Sequence, residues 1–238
     1  MSARYYITGT DTGVGKTRVT AAIAHALVSH RHAAGERGGV TIVKLVQTGV
    51  DANEPGDARE AAGLVPCASR ELYRFREPAD PWTAALVANR TPLVAIDVAN
   101  ELDRIDGDLV IEGSGGAAVP LNADESLDDV AHLARVETIL VVGLRLGCLN
   151  HAILTLAYLA ARSAIVPCIV LTEPWGALDP TYRRQVERVL TAKIPHDLAT
   201  ARHPSTSGTG KPHIVHVPFD GDAARSVARA AGAMTFIR

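Results

Sequence analysis

Five short stretches carry residue types that suit chemistry on a phosphate, and all but one sit at or near the end of an apolar run. The first is GTDTGVGKT at residues 9–17. Its glycines let the backbone turn its N–H groups inward around phosphate oxygens. The helix that follows points its N-terminus at the same anion. Gly13, Val14 and Gly15 form the cradle, Lys16 would reach the β and γ phosphates, and the Thr17 hydroxyl would ligate Mg²⁺. The spacing is off by one from the usual phosphate loop: five residues before Gly15 stands Thr10, and the glycine comes earlier, at Gly9.

The second stretch is KLVQTG (44–49). Lys44 is a candidate to stabilise charge on a transferring phosphoryl group; a lysine snorkelling to the surface is the competing reading. In GDARE (56–60), Asp57 suits Mg²⁺, which takes one or two carboxylates plus phosphates and water. Alone, it reads better as a solvated loop acid. In VIEGSGG (110–116), Glu112 ends a strand where a phosphate-loop protein keeps its second Mg²⁺ contact. Gly113, Ser114, Gly115 and Gly116 then permit a ligand to approach the backbone closely. RLGCLNHA (145–152) opens a helix whose free N–H groups suit a carboxylate. Asn150 there either adds a donor or caps the helix. Cys148 reads as a packing residue, since no base is paired with it.

These residues need a scaffold that brings strand ends together, and the chain alternates short β-branched runs with helical stretches. Strands are predicted at 4–8, 40–46, 107–113, 138–144, 166–171 and 213–219. Helices are predicted at 16–32, 79–90, 92–105, 125–136, 148–163, 180–190 and 222–232. Unbroken apolar strands such as TILVVGL (138–144) imply burial on both faces. The fold class expected is α/β: one domain with a P-loop-type, mainly parallel sheet and helices on both faces. Ligands in such folds bind beyond the carboxyl ends of the strands, where four of the five stretches fall. ATARHPSTSGTGKP (199–212) reads as a mobile loop within that domain.

Composition narrows the class of partner. The 238 residues carry a net charge of −2 with no basic run, which speaks against nucleic acid. Three separated cysteines suit a reducing compartment rather than a disulfide framework. The nine histidines lack zinc-ligand spacing. No apolar run reaches membrane-spanning length, and MSARYYITG has no leader-like apolar core. A soluble cytoplasmic protein is expected.

Together GTDTGVGKT, KLVQTG, GDA, VIEGSGG and VVGLRLGCLNHA resemble the dethiobiotin synthetase family, over about residues 4–171. The resemblance implies an ATP-dependent ligase that closes the ureido ring of dethiobiotin from 7,8-diaminopelargonate and CO₂, through a carbamate and a carbamic-phosphoric anhydride. It implies Lys44, Lys16 and Thr12 as catalytic residues. Thr12, Lys44, Thr48, Gly116 and Asn150 would meet the diamine substrate. Thr17, Asp57 and Glu112 would surround Mg²⁺. Residues 13–17, Asp57 and 112–115 would line the nucleotide. It also implies a homodimer with substrate at the interface, the start of the LGCLNHA helix of one copy meeting the substrate carboxylate bound in the other.

This sequence departs from the family pattern in places. Lys44-Leu45-Val46 replaces Lys-Pro-Val, and Gln47-Thr48-Gly49 replaces Ala-Ser-Gly. Thr172 and Glu173 stand where the family places an Asn-Asp purine contact, which is expected to loosen preference for ATP over other triphosphates. Pro218, in VPFDGD (217–222), would complete the base pocket. A partitioning-type ATPase switch shares the fold, but its loop carries an early lysine where this chain has Asp11 and Thr12. A corrinoid-amidating relative needs an ammonia-producing domain, for which no residues remain. A related ligase acting on another diamine is the nearer alternative.

Overall fold

The computed structural model describes residues 2–36, 38–200, 211–218, 220–234 and 237. In chain order the elements are β1 (Arg4–Gly9), α1 (Lys16–Ala34), β2 (Val40–Gln47), α2 (Asp57–Ala62), β3 (Ala68–Arg74), α3 (Pro81–Val87), α4 (Ala95–Asp103) and β4 (Asp108–Gly116). There follow α5 (Leu127–Leu133), β5 (Glu137–Gly143), α6 (Cys148–Ala161), β6 (Cys168–Thr172), α7 (Pro180–Lys193), α8 (His196–Thr200), β7 (His213–Val217) and α9 (Ala223–Ala233). The strands form one sheet in the order β3-β2-β4-β1-β5-β6-β7. Every pairing is parallel, so all carboxyl ends lie on one edge.

Alternating side chains of each strand feed two apolar layers. Tyr5, Ile7, Ile42, Val110 and Val141 pack under α1, α2 and α9. On the other face, Tyr6, Val43, Leu45 and Ile111 pack under α3, α4 and α5, while Leu140, Val142, Ile169 and Leu171 pack under α6 and α7. Burial on both faces is why these strands read as continuous apolar runs. The helix expected at 16–32 runs on to Ala34, buries Val19, Ala22, Ile23 and Leu27 while Ala26 is only half-buried, and stops at Gly35 in the left-handed conformation (φ 67°).

Two elements beside the site had no counterpart in the sequence reading, namely α2 and β3. β3 (ASRELYR) is an edge strand with residues 68–70 exposed and 71–74 half-buried, so no apolar alternation announces it. α2 is six residues long and starts at Gly56, which offers no side-chain cap. Its cap comes from β2 instead: Gln47 Oε1 accepts the Asp57 N–H at 2.9 Å. A Cβ on Gly56 would crowd that Oε1 at 2.7 Å, and Glu71 Oε1 of β3 more closely still, so a side chain there would push against both. The loop expected at 199–212 lies largely outside the described residues. Among the described residues, no helix is long and apolar enough to cross a membrane.

Candidate functional site

The phosphate-type loop runs from the carboxyl end of β1, at the centre of the sheet, into α1. Gly13 (φ 72°) and Gly15 (φ 91°) take left-handed conformations that L side chains avoid. The displaced Gly9 has a separate reason. A Cβ there would lie 2.8 Å from Val14 Cγ2, 3.1 Å from the Asp11 carbonyl and 3.3 Å from the Gly115 carbonyl. Two of those neighbours are backbone, which gives way less readily than a side chain. The off-register glycine is therefore the point where the loop folds back against β4. Gly9→Ala is expected to cost about 1–3 kcal/mol through overpacking, read as a lowered urea midpoint. An unchanged midpoint would mean that the loop yields.

Below the loop, charges converge from four segments. Lys44 is 2% exposed. Its Nζ donates to Glu112 Oε1 at 3.0 Å and to the Gly113 carbonyl at 3.1 Å, and it pairs with the Asp57 carboxylate. Thr17 Oγ1 donates to the same Glu112 Oε1 at 3.1 Å. Lys16 Nζ rests on the Asp11 carbonyl at 2.9 Å. The surface reading of Lys44 is thus excluded, and Asp57 is an ion-paired acid rather than a solvated loop one. Register explains the meeting: Lys44 is the Cα partner of Glu112 across the β2–β4 pairing, and Gly9 that of Gly116 across β1–β4.

The two lysines are tuned in opposite directions. Burial lowers the Lys16 ammonium to about 8, the Lys44 charge adds to that, and Glu112 and Asp57 only partly offset it. Burial also disfavours the charged form of Lys44, but Glu112 and Asp57, in contact with it, outweigh the burial and hold it above its ordinary value. Lys44 is thus a fixed cation, whereas Lys16 is poised near neutrality and gains most from an incoming polyanion.

These groups line a cleft of about 770 Å³, together with Thr12, Thr48, Ser114 and Gly115. A wall of Pro78, Ala79, Asp80 and Pro81 also lines it, as does Val119. The sequence reading missed that wall and the role of Gln47. A turn before a short helix carries no chemical signature, and a glutamine that caps a helix from another strand is invisible without the register. Ser114 Oγ is held by the Val46 carbonyl.

The remaining expected residues lie elsewhere. Thr172 is buried beneath the loop, its hydroxyl donated to the Val14 carbonyl at 2.6 Å. Glu173 is 4% exposed and pairs with His216 Nε2 at 3.0 Å and Arg183 at 3.5 Å. Pro218 is half-buried in the β7–α9 connection, which Arg18 of α1 ties down through the Asp220 carbonyl at 2.9 Å. Asn150 is exposed in the first turn of α6, away from the cleft walls. Cys148 is buried among apolar residues.

Whether the cleft suits Mg²⁺ is decided by its donors. Thr17, Asp57 and Glu112 offer hard oxygen atoms, the set Mg²⁺ prefers. Glu112 Oε2 is buried with no hydrogen-bond partner, an arrangement that costs free energy unless a ligand satisfies it. Among the described residues no three His, Cys, Asp or Glu side chains are grouped to hold a metal by themselves. A Mg²⁺ ion here would need phosphate and water to complete its shell, as this ion commonly does. The residues fit on those terms.

Comparison with known proteins adds an independent line. A family model described as an AAA domain matches residues 3–204. The chain is 37% identical over 227 residues to the ATP-dependent dethiobiotin synthetase BioD of Streptomyces coelicolor, covering 90% of this chain and 92% of that protein. It is 37% identical to the Agrobacterium fabrum protein of the same name, covering 80% and 81%, and 43% identical to that of Saccharopolyspora erythraea, covering 66% and 67%. Among solved structures, the cell division ATPase MinD of Pyrococcus furiosus superposes with a TM-score of 0.53 at 18% identity, covering 98% of each chain. A ParA family ATPase from Chlorobium tepidum gives 0.50 at 16%, covering 98% and 92%. These two likenesses establish the P-loop α/β fold and nothing about activity.

Proposed function

Since the chain belongs to the dethiobiotin synthetase family, a family of ligases, we propose that the cleft closes the ureido ring of dethiobiotin at the expense of ATP. The observation that carries this reading is Lys44, a buried cation joined to Glu112, Asp57 and the Gly113 carbonyl, beside a loop that presents Lys16 and Thr17.

The diamine 7,8-diaminopelargonate takes up CO₂ on one nitrogen to give a carbamate. A carbamate oxygen attacks the γ-phosphorus, the bond to the β-phosphate oxygen breaks, and ADP departs. The second amine then attacks the carbonyl of the carbamic-phosphoric anhydride, loses its proton and expels phosphate. The first attack brings an anion up to a polyanion, and the chain's own residues meet that difficulty. Lys16 turns from the Asp11 carbonyl to the phosphates, while Lys44 lies between γ-phosphate and carbamate and aligns them. Thr12 and Thr48 stand at the diamine end with Gly116. Thr17, Asp57 and Glu112 would hold Mg²⁺, which when bound neutralises phosphate charge.

The same reading makes the chain a cytoplasmic homodimer with the start of α6 of one copy facing the substrate carboxylate of the other. Supporting it, α6 begins at Gly147 (φ 91°) with no side-chain cap, Leu146 is 95% exposed and Asn150 faces outward.

The reading is tested by mass spectrometry of products from purified protein with diaminopelargonate, bicarbonate, Mg²⁺ and ATP, GTP or CTP, alongside phosphate release. Dethiobiotin with one phosphate per turnover is expected. No product with any triphosphate would point to another diamine. A strong preference for ATP would argue that Thr172 and Glu173 do not loosen base choice.

Lys16 also makes a pH prediction. With its ammonium near 8, phosphate binding must return a proton once pH exceeds that value. At pH 8, nucleotide binding is expected to take up about half a proton, and affinity to fall by up to about tenfold per pH unit above it. Calorimetry in buffers of different ionisation heat reads this directly. Zero uptake would mean that Lys16 is fully charged before binding.

A further inference from the structure

Arg145, which the reading above leaves without a role, joins three connections on the carboxyl edge of the sheet. It lies between β5 and α6. Its Nη2 donates to Asp11 Oδ2 in the phosphate loop at 2.7 Å. Its guanidinium lies over the ring of Trp175 in the β6–α7 connection, with Cζ 4.9 Å from the ring centroid. Its main-chain carbonyl accepts from the Tyr182 hydroxyl of α7 at 3.3 Å.

Asp11 is a junction in its own right. Its Oδ1 accepts the Thr12 N–H at 2.7 Å, and its main-chain carbonyl holds Lys16 Nζ at 2.9 Å. Trp175 is anchored too: a Cβ on Gly143 would lie 2.9 Å from its Cη2 and 3.1 Å from Val14 Cγ1. The ring that supports Arg145 therefore shares the loop's own footing. One side chain thus links the residue that parks Lys16 to a ring packed against the end of β5.

We propose that Arg145 is a positioning residue of the nucleotide site, acting through Asp11: its grip fixes the carbonyl on which Lys16 rests and the peptide that carries Thr12. The proposal rests on the nucleotide-binding reading of the cleft. Two physical effects give it content. A released Asp11 carboxylate is an unpaired negative charge at the lip of a polyanion site and repels the ligand. A released loop must also be ordered on binding, which weakens affinity. A purely structural role is the weaker account, because both side chains of the pair are nearly half exposed, 44% and 45%, and such pairs add little to stability.

The experiment uses the full chain carrying Trp82→Phe, which leaves Trp175 as its single tryptophan. Mg-ATP is titrated while Trp175 emission is followed, with a urea midpoint recorded for each variant. Arg145→Ala is expected to weaken Mg-ATP binding about tenfold without shifting the midpoint. Arg145→Lys, which keeps the charge but loses the planar stack, is expected to fall between. In an Asp11→Asn background, Arg145→Ala is expected to add nothing further. Unchanged affinity in Arg145→Ala, or effects of the two substitutions that simply multiply, would overturn the proposal while leaving the nucleotide reading intact. Absence of Mg-ATP binding by the reference chain would remove both.

Discussion

Lys44→Gln is expected to lower turnover by about 10²-fold or more while nucleotide still binds. The reason is position and charge together. Lys44 Nζ is held by Glu112, Asp57 and the Gly113 carbonyl, so it enters the reaction already aimed. Its ammonium is kept above the ordinary value, so it stays charged across the working pH range. Glutamine is one atom shorter and keeps part of the hydrogen bonding but removes the cation, and the cleft is left with two carboxylates against Lys16 alone. Breaking a buried pair by removing one partner can cost about 3–5 kcal/mol. The measurement must therefore pair steady-state turnover with a urea midpoint and a nucleotide titration on the same sample. A folded variant with near-normal turnover would take Lys44 out of the mechanism.

Glu112→Gln is the second large effect. Glu112 is 1% exposed, Oε1 accepts from both Thr17 and Lys44, and Oε2 has no hydrogen-bond partner. The amide fills the same space and can still accept from Thr17, but it offers no negative charge to a cation or to Lys44. Turnover at fixed Mg²⁺ is expected to fall about 10²-fold, and the Mg²⁺ concentration for half-maximal phosphate release to rise at least about tenfold. Titrating Mg²⁺ at saturating ATP separates the two. An unshifted Mg²⁺ requirement would assign Glu112 to holding Lys44 rather than a metal.

The sequence made the core of this site legible because its charges stand out against apolar runs. Lys44 is the one charge within β2 and Glu112 follows the apolar run of β4, and parallel pairing makes them register partners. Lys16 and Thr17 open the helix after the first strand. What stayed illegible depended on contacts between elements. β3 hides because an edge strand with charged Arg70, Glu71 and Arg74 lacks the two-sided burial that marks the other strands. The helix predicted at 92–105 starts three residues later, at Ala95, where Glu125 from a distant turn accepts its N–H at 3.0 Å. Gln47 stands out in KLVQTG only as a replacement of the family's alanine. Only the fold reveals that its carbonyl oxygen caps α2 and so steers Asp57. At the end of β6, the letters Thr172-Glu173 could not disclose that the hydroxyl braces Val14 and the carboxylate meets His216.

The central place of β1 has a consequence for how the protein comes into being. β1 is made well before its neighbours β4 and β5, which begin only at Asp108 and Glu137. During synthesis an apolar strand, with Tyr6 and Ile7 destined for complete burial, leaves the ribosome long before anything can pair with it. Such distant parallel pairings are slow to form and expose sticky surface meanwhile. The phosphate loop shares that delay, because Gly9 needs Gly116 beside it and the Thr10 N–H needs the Val141 carbonyl at 3.0 Å. A segment made before its partners is thus among the last to mature, and a chain halted short of β5 would hold the loop's sequence without its shape.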